Sequence, residues 1–399
     1  MNRSTFVGAL ALVAVLPAAA VSVGGFDRVA GAGSRPSLTV YSNNLALVRM
    51  DLDRMIAPGQ HTVRIDGLPT NLDQSSLVVL NDGVTLLGAH SFRSYQSPAS
   101  GPGASLDLEI EVERQVERLH LAFLTSGLGW SADYSLVIAP GDAVARVGGF
   151  ATVSNNSGAG YELAEVQLLA GTINRGVGGR ILMDEVRGSL ARKMGAAAAA
   201  PGLDGAAFGG YHIYTVSTPI SLRPGESRRI RLLGDAAAAV EKVHTLSHTI
   251  NYYQQQPEPL NQPVVVSYRV KREVGTEFGD LPLPAGQVRI YQPDEVGRLQ
   301  LLGIASTPNT PKGQDLRLTT GYAFDIVGTR TQTDYRRPEG NIYESAWKVE
   351  LRNQSDSAVT VRVVEGLSGD WRILESSHRA EKLSAGAVRF LVDVPAGGR

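Results

Sequence analysis

Apolar side chains recur at every second position along much of this chain, and this period constrains the fold more than any other feature. In a strand, successive side chains point to opposite faces, so such a run buries one face and exposes the other. The clearest run alternates Leu106, Leu108, Ile110 and Val112 with Asp107, Glu109, Glu111 and Glu113. Its four acids are interpreted as a solvated outer face and not as a cation site. We therefore predict an all-β, mainly antiparallel fold of two or more sandwich-like domains.

Turn signals and further alternating runs extend this prediction over most of the chain. Asn81-Asp82-Gly83 separates two apolar runs and is typical of a tight hairpin turn. The strongest local pattern places Trp347, Val349 and Leu351 opposite Val359, Val361 and Val363. Trp347 is expected to face the interior, where its replacement by Ala would cost about 3 to 5 kcal/mol. Other strands are predicted, none of them long, at 220–222, 229–233, 264–270, 288–291, 299–302 and 316–318.

The first residues resemble an export signal. Arg3 supplies a positive charge, Phe6 to Leu16 are apolar, and three alanines end at Ala20. The apolar stretch is shorter than the roughly 20 residues that a spanning helix needs. We therefore predict cleavage after Ala20, so that the mature protein begins at Val21 and is periplasmic or extracellular.

Composition divides the rest of the chain. Residues 21–37 are expected to be a flexible linker, 38–96 an N-terminal β domain, 97–103 a second linker and 104–399 a C-terminal β-rich region. The Gly- and Ala-rich stretch 174–210 offers little apolar surface to bury, and we predict it to be a disordered insertion.

Charge and cysteine content narrow the possible functions. The 38 Lys and Arg residues balance 39 Asp and Glu residues without long runs of one sign, which disfavours a nucleic-acid partner. The chain contains no cysteine, so no disulfide supports the fold. No cofactor motif is present. An envelope protein or a polysaccharide is the expected partner.

One histidine pair has the spacing of a zinc site. His244 and His248 are four residues apart, so on a helix they would lie on one face and could share an ion with Glu241. The surrounding β-branched and aromatic residues favour a strand, where positions four apart lie roughly 13 Å from each other. We therefore predict no metal site.

The C-terminal region offers two catalytic arrangements, and neither is assigned. Ser376, Ser377 and His378 with Asp370 lack the strand-to-helix turn of a hydrolase nucleophile. Glu365, Asp370 and Glu375 could supply paired carboxylates for glycoside cleavage, although such acids lie near one another on most surfaces.

Two further groups could bind a ligand or support the fold. Arg330, Asp334, Arg336 and Arg337 could hold an anion, but a structural ion pair between Asp325 and Arg330 is the favoured interpretation. Tyr252, Tyr253, Tyr291 and Tyr322 could stack on sugars, whereas packing between sheets is favoured.

Several separated stretches together resemble a bacterial family known as domain of unknown function 4139, which includes proteins labelled mucoidy inhibitors. The resemblance rests on Val40-Tyr41 with Leu47-Val48-Arg49, on residues 129–134, on 283–286 with 288–291, on 323–325 with Arg330, and on 369–371 with Ser376-Ser377 and 394–398. It implies β-sandwich domains and an exported location, and it brings no catalytic residues.

Relatives in that family usually continue past the final Gly-Gly into another strand. Val388, Phe390, Val392 and Val394 alternate as a strand before the turn at 395–398. We therefore predict that one strand edge nearby is left exposed. Altogether the sequence favours a non-enzymatic envelope interaction module, with an exported glycosidase or esterase as the alternative.

Overall fold

The computed structural model describes residues 27–30, 35–93, 103–171, 203–251, 254–256 and 258–398. Within these residues the chain forms 23 strands in three sheets and one helix of four residues, α1 (Glu277–Asp280). Most strand pairs are antiparallel. The predicted all-β class is therefore confirmed.

The first two sheets are built mainly from the N-terminal third of the chain. The four-stranded sheet contains β1 (Asp27–Ala30), β4 (Gly59–Leu68), β6 (Val84–Arg93) and β7 (Ala104–Val112). The eight-stranded sheet contains β2 (Ser37–Tyr41), β3 (Leu45–Ile56), β5 (Leu72–Val79), β8 (Val116–Ser126), β11 (Tyr161–Ala170), β12 (Leu203–Phe208), β13 (Tyr211–Val216) and β14 (Ile220–Leu222).

The third sheet has eleven strands within the described residues and carries the candidate sites. They are β9 (Leu128–Ile138), β10 (Val144–Asn155), β15 (Ser227–Thr249), β16 (Leu260–Val270), β17 (Gly286–Pro293), β18 (Leu299–Thr307), β19 (Leu316–Arg336), β20 (Glu344–Asn353), β21 (Val359–Gly366), β22 (Glu381–Ser384) and β23 (Ala387–Val394).

Strand β15 joins two halves of this sheet. Its first part pairs with β10 as far as Ala239, and its last part pairs with β16 on one side and β21 on the other. The first half also contains β9, β17 and β18, and the second half contains β19, β20, β22 and β23. The 23 residues of β15 and the 21 of β19 correct the expectation that no strand is long.

The alternating pattern places the core as predicted. Leu106, Leu108 and Ile110 of β7 are buried, while Glu109 and Glu111 are exposed. One apolar cluster contains side chains of all three sheets, and a second cluster fills the second half of the third sheet around Leu246 and Leu351. Burial of these aliphatic faces supplies most of the driving force for folding.

Strand pairing corrects the predicted domain boundary at 97–103. β6 and β7 lie side by side in one sheet, and β3 pairs with β8 in another. The stretch therefore connects neighbouring strands and does not separate two domains. A composition rich in Ser, Pro and Gly marks a loop, but it does not distinguish a linker from a long hairpin connection.

Two predicted flexible segments are partly ordered. Asp27 to Ala30 form β1, which pairs in parallel with β4, although 21–37 was expected to be a linker. Leu203 to Phe208 form β12 against β13, so the predicted insertion 174–210 is wrong at its C-terminal end. The predicted signal peptide, residues 1–20, and residues 172–202 lie outside the described residues. In the described part of the chain, no helix has the length and hydropathy to cross a membrane.

Candidate binding cleft at the junction of the two halves

A cleft of about 870 Å³ lies where β15 passes from the first half of the third sheet to the second. Its lining comes from the turn between β9 and β10, from the strands β15 to β19, β21 and β23, and from the loop that precedes β21. The cleft therefore draws its residues from segments far apart in the sequence.

Asp142 organises the polar wall of the cleft. Its Oδ1 atom accepts hydrogen bonds from the Tyr268 hydroxyl at 3.1 Å and from the Gln292 amide at 2.9 Å. Its Oδ2 atom lies 3.1 Å from the Lys242 ammonium group. Asp142 has a positive φ of 55° in the turn between β9 and β10, a conformation that Asp tolerates better than most residues.

Tyr268 acts as a fixed hydrogen-bond donor. Its side chain is buried, and burial together with the negative charge of Asp142 raises its pKa above the ordinary tyrosine value. The hydroxyl therefore stays protonated at neutral pH and holds the Asp142 carboxylate in place. It has no capacity to act as a base there.

A second carboxylate in the cleft is also neutralised. Glu241 accepts a hydrogen bond from Arg362 of β21, and Arg269 lies 4.0 Å away. Asp142 and Glu241 are thus each paired with a cation. Asp325 is exposed and also lines the cleft.

A second part of the lining, the aromatic wall, is open to solvent. Tyr322 is 69% exposed and Phe324 is 95% exposed, and both line the cleft. They lie where the pairing of β19 with β16 is irregular, between Tyr322 and Val327. Large apolar side chains exposed in a group mark interaction sites.

Close strand packing brings further apolar residues to this wall. A Cβ atom at Gly303 of β18 would lie 2.6 Å from the Thr320 carbonyl oxygen of β19, so only glycine permits this approach. Leu302 and Ile304, on either side of Gly303, are 36% and 54% exposed. Of these two residues, Leu302 lines the cleft together with Tyr322 and Phe324.

His244 lines the cleft, and His248 follows on the same strand. Both are half-buried in β15, which confirms that they lie on a strand. Burial lowers the pKa of His244, with Lys242 adding to the effect, and burial and Arg330 lower the pKa of His248. His248 contacts the Gln262 amide at 3.2 Å and the Trp347 ring. No group of potential metal ligands occurs among the described residues.

These lowered pKa values predict a pH effect on stability. As the pH falls, the histidines of the unfolded chain become protonated near their ordinary pKa of about 6.5. Those of the folded chain become protonated only at a lower pH. The free energy of unfolding should therefore fall as the pH drops below this value. Urea denaturation at pH 7.5 and 5.5 should show a smaller loss in the variant His244→Gln/His248→Gln than in the wild type. Equal losses would contradict the prediction.

Arg330 forms an ion pair, but with a different partner from the one predicted. Its guanidinium donates two hydrogen bonds to Glu365 of β21, one of them 2.8 Å long. Both side chains are buried. Asp325 cannot reach them because it lies five residues from Arg330 on the same strand, which places the two side chains on opposite faces. The predicted pair between Asp325 and Arg330 is therefore wrong.

The other charged residues of that stretch lie on the surface. Asp334 pairs with Arg336 at 2.7 Å, and Arg337 donates to the Gly340 carbonyl. Arg330, Asp334 and Arg336 belong to β19, which ends at Arg336. The four residues therefore do not converge on one anion site.

The two catalytic arrangements that were considered and not assigned lie mostly on the surface. Ser377 contacts the His378 ring at 3.0 Å, but both residues are exposed. Asp370 and Glu375 are exposed too, whereas Glu365 is buried against Arg330. Burial raises the pKa of Glu365 above its ordinary value.

Of the four predicted aromatic residues, Tyr322 lines the cleft and is exposed, so it does not pack between sheets. Tyr291 is half-buried in a second groove, and Tyr252 and Tyr253 lie outside the described residues. Sequence reasoning missed Phe324 and Asp142. Phe324 lies two residues after Tyr322 in the sequence, so this second aromatic residue could have been added to the predicted group.

The second groove, of about 1020 Å³, lies on the outer face of β9, β10 and β17. Asp133 accepts a hydrogen bond from Arg229 and lies 3.7 Å from Arg289. The Arg229 guanidinium stacks 4.0 Å from the centre of the Phe150 ring. The charges of both sites are paired, but the junction cleft also contains the exposed rings of Tyr322 and Phe324 and is therefore the stronger candidate. Comparison of the sequence with protein-family models and with curated proteins found no match, so the resemblance to domain of unknown function 4139 stays a prediction.

Proposed function

We propose that this protein is a non-enzymatic binding module of the cell envelope and that its junction cleft binds an uncharged segment of a polysaccharide. One observation carries the proposal: two exposed aromatic rings, Tyr322 and Phe324, line the same cleft as the carboxylates of Asp142 and Glu241, which are already paired with cations. Sugar rings present apolar faces to aromatic side chains and hydroxyl groups to polar ones. The cleft offers both kinds of side chain, so it is suited to bind a sugar.

Charge favours a neutral glycan over an acidic one. Lys242 is paired with Asp142, and Arg362 is paired with Glu241. The exposed Asp325 would repel a polyuronate and could accept hydrogen bonds from sugar hydroxyls. A neutral glycan therefore avoids the electrostatic repulsion that an anionic glycan would meet in the cleft.

The alternative function, an exported hydrolase, has less support in the described residues. A glycosidase needs a general acid whose pKa is raised in its cleft. Glu365 is the described carboxyl group whose pKa is raised, and it is bound to Arg330 in the second core cluster outside the cleft. Tyr268 is buried in the cleft, but its hydroxyl is committed to Asp142.

The export part of the proposal rests on the sequence. The positive charge, apolar stretch and alanines of residues 1–20 support it. The resemblance to domain of unknown function 4139 supports an envelope location and motivates the choice of polysaccharide.

Titration calorimetry with cellohexaose as the neutral probe and an oligogalacturonate as the acidic probe tests the cleft. We expect the neutral probe to bind more tightly. Phe324→Ala should weaken binding about tenfold, because each stacked ring contributes on the order of 1 kcal/mol or more. Because Phe324 is 95% exposed, its replacement should leave the thermal midpoint almost unchanged.

Phe92→Ala is the matched control. Phe92 is a partly exposed aromatic residue of β6, away from the cleft, and its loss should not change sugar binding. If neither probe binds, or if Phe324→Ala and Phe92→Ala bind alike, the cleft is not a glycan site.

A further inference from the structure

The second groove lies on a sheet face to which five strands contribute side chains. Its floor is the outer face of β9, β10 and β17, and β15 and β18 supply further residues. Thr152 of β10 lies opposite Arg229 of β15. Two residues earlier on β10, Phe150 lies opposite Asp133 of β9, which lies opposite Gln287 of β17 on its other side. Residues that lie opposite each other share a face, so charged, hydroxyl and amide groups meet in this groove.

Two guanidinium groups share one carboxylate there. The Arg229 guanidinium donates to the Oδ1 atom of Asp133, and a guanidinium nitrogen of Arg289 lies 3.7 Å from the same oxygen atom. The Oδ2 atom of Asp133 accepts a hydrogen bond from the Thr152 hydroxyl at 3.3 Å. The residues that line the groove therefore carry two positive charges and one negative charge.

The charges next to the lining do not change this balance. Arg231 lies opposite Phe150, with its guanidinium carbon 5.8 Å from the ring centre. A Cβ atom at Gly148 would lie 3.1 Å from a carboxylate oxygen of Asp235 and 3.2 Å from the Ser135 hydroxyl, so Asp235 is also close to the groove. Arg231 and Asp235 have opposite charges. The surplus of one positive charge therefore remains.

Both lining arginines are positioned in advance and still accessible. The Arg229 guanidinium lies 4.0 Å from the centre of the Phe150 ring, and its side chain is 54% exposed. The Arg289 side chain is 40% exposed, and its distance of 3.7 Å from Asp133 exceeds that of a hydrogen bond. A guanidinium has five N–H donors, so both groups can donate to a ligand as well. Side chains that are already held in place lose less freedom when a ligand binds.

We infer that the second groove binds a phosphate monoester, whose phosphate group lies between Arg229 and Arg289. Guanidinium groups bind phosphate oxygens through pairs of parallel hydrogen bonds. A phosphate monoester carries a charge of about −1.5 to −2 at pH 7, so it gains more from a positive surplus than a carboxylate does. Its tetrahedral oxygens accept from donors on several strands, whereas a carboxylate accepts close to one plane.

The uncharged part of the lining indicates what carries the phosphate. It consists largely of hydroxyl and amide side chains, namely those of Ser131, Ser135, Thr152, Gln287 and Ser306. Such groups both donate hydrogen bonds to ligand hydroxyl groups and accept hydrogen bonds from them. The expected ligand is therefore the phosphate ester of a polyhydroxy alcohol.

This site does not rest on the proposed function. The residues that line the second groove and the junction cleft do not overlap. Phe324→Ala should leave phosphate binding unchanged, and Arg289→Gln should leave cellohexaose binding unchanged. A failure of one proposal is therefore distinguishable from a failure of the other.

Titration calorimetry with three probes tests the ligand class, in a buffer that contains neither phosphate nor carboxylate. We expect glycerol 3-phosphate to bind saturably, inorganic phosphate to bind more weakly and acetate to bind weakest. If glycerol 3-phosphate does not bind, or if acetate binds as tightly, the phosphate site is overturned. Equal binding of glycerol 3-phosphate and inorganic phosphate would overturn the polyhydroxy part of the ligand.

Arg289→Gln should weaken the binding of glycerol 3-phosphate about tenfold or more, because it removes charge-assisted hydrogen bonds to the phosphate. Asp133 keeps its hydrogen bond from Arg229 in this variant, so the thermal midpoint should hardly change. Arg231→Gln is the matched control. It removes the same charge from the same face but outside the lining, and it should weaken binding less than about threefold in 0.15 M salt. Equal losses in both variants would show diffuse attraction without a defined site.

A variant with an expected gain in affinity separates binding from damage to the fold. Asp133→Asn removes the negative charge that competes with the ligand, while its amide oxygen can still accept from Arg229. Binding of glycerol 3-phosphate should become about threefold tighter or more. Weaker binding in Asp133→Asn would contradict the placement of the phosphate beside this residue.

Discussion

Replacing Arg330 by Met should cost about 3 to 5 kcal/mol of unfolding free energy, the largest single effect that we expect. Arg330 and Glu365 are both buried, and the guanidinium holds the carboxylate with two hydrogen bonds. The substitution leaves the Glu365 carboxylate buried without its cation. Urea denaturation at neutral pH measures the loss.

The pH dependence of this loss identifies its cause. Burial already raises the pKa of Glu365 in the folded protein, and removal of Arg330 should raise it further. A carboxyl group with a raised folded pKa gives stability that decreases as the pH rises. The loss of stability that Arg330→Met causes should therefore be smaller at pH 5 than at pH 8.

A double variant supplies the control. Arg330→Met/Glu365→Leu replaces both charges with apolar groups, a change that is often nearly neutral for buried pairs. We expect it to recover most of the stability lost in Arg330→Met. A loss below about 1 kcal/mol in the single variant would show that the pair is not buried as described.

Trp130→Ala should cost about 3 to 5 kcal/mol, the second largest effect. Trp130 is only 5% exposed, and its indole N–H donates to the Leu169 carbonyl at 3.1 Å. The ring also packs edge to face against Tyr214, with 6.1 Å between centroids. Its removal loses apolar contacts, one hydrogen bond and an aromatic pair together.

Trp347→Ala is the matched comparison. Trp347 lies on the predicted face of β20, but it is only half-buried and its indole N–H donates to the Ser345 hydroxyl. We therefore lower the expected cost for this residue to about 1 to 2 kcal/mol. Chemical denaturation should rank Trp130→Ala as the more damaging substitution. The reverse order would contradict the burial of both residues.

The sequence correctly predicted which face of a strand is buried, but it did not predict which distant residues contact one another. The period of two is a local property, and it correctly placed Leu106, Leu108 and Ile110 inside β7. The parity argument would also have excluded the pair between Asp325 and Arg330, since positions five apart on a strand face opposite ways. What local patterns cannot supply is the pairing of distant strands.

The junction cleft illustrates that limit. Asp142 meets Lys242, Tyr268 and Gln292, which lie 100, 126 and 150 residues further along the chain. None of these four residues stands out in its own segment. Only the sheet topology brings them together, so the polar wall could not be predicted from one sequence. The exposed face of Tyr322 and Phe324 could have been.

Strand β15 makes the third sheet indivisible in a sense that bears on its evolutionary history. This strand pairs with β10 in one half and with β16 and β21 in the other. A cut within β15 would therefore leave both halves without a complete strand. A recombination event that transferred either half alone would strip a neighbour from a central strand and expose its edge. The two halves are therefore constrained to be inherited together.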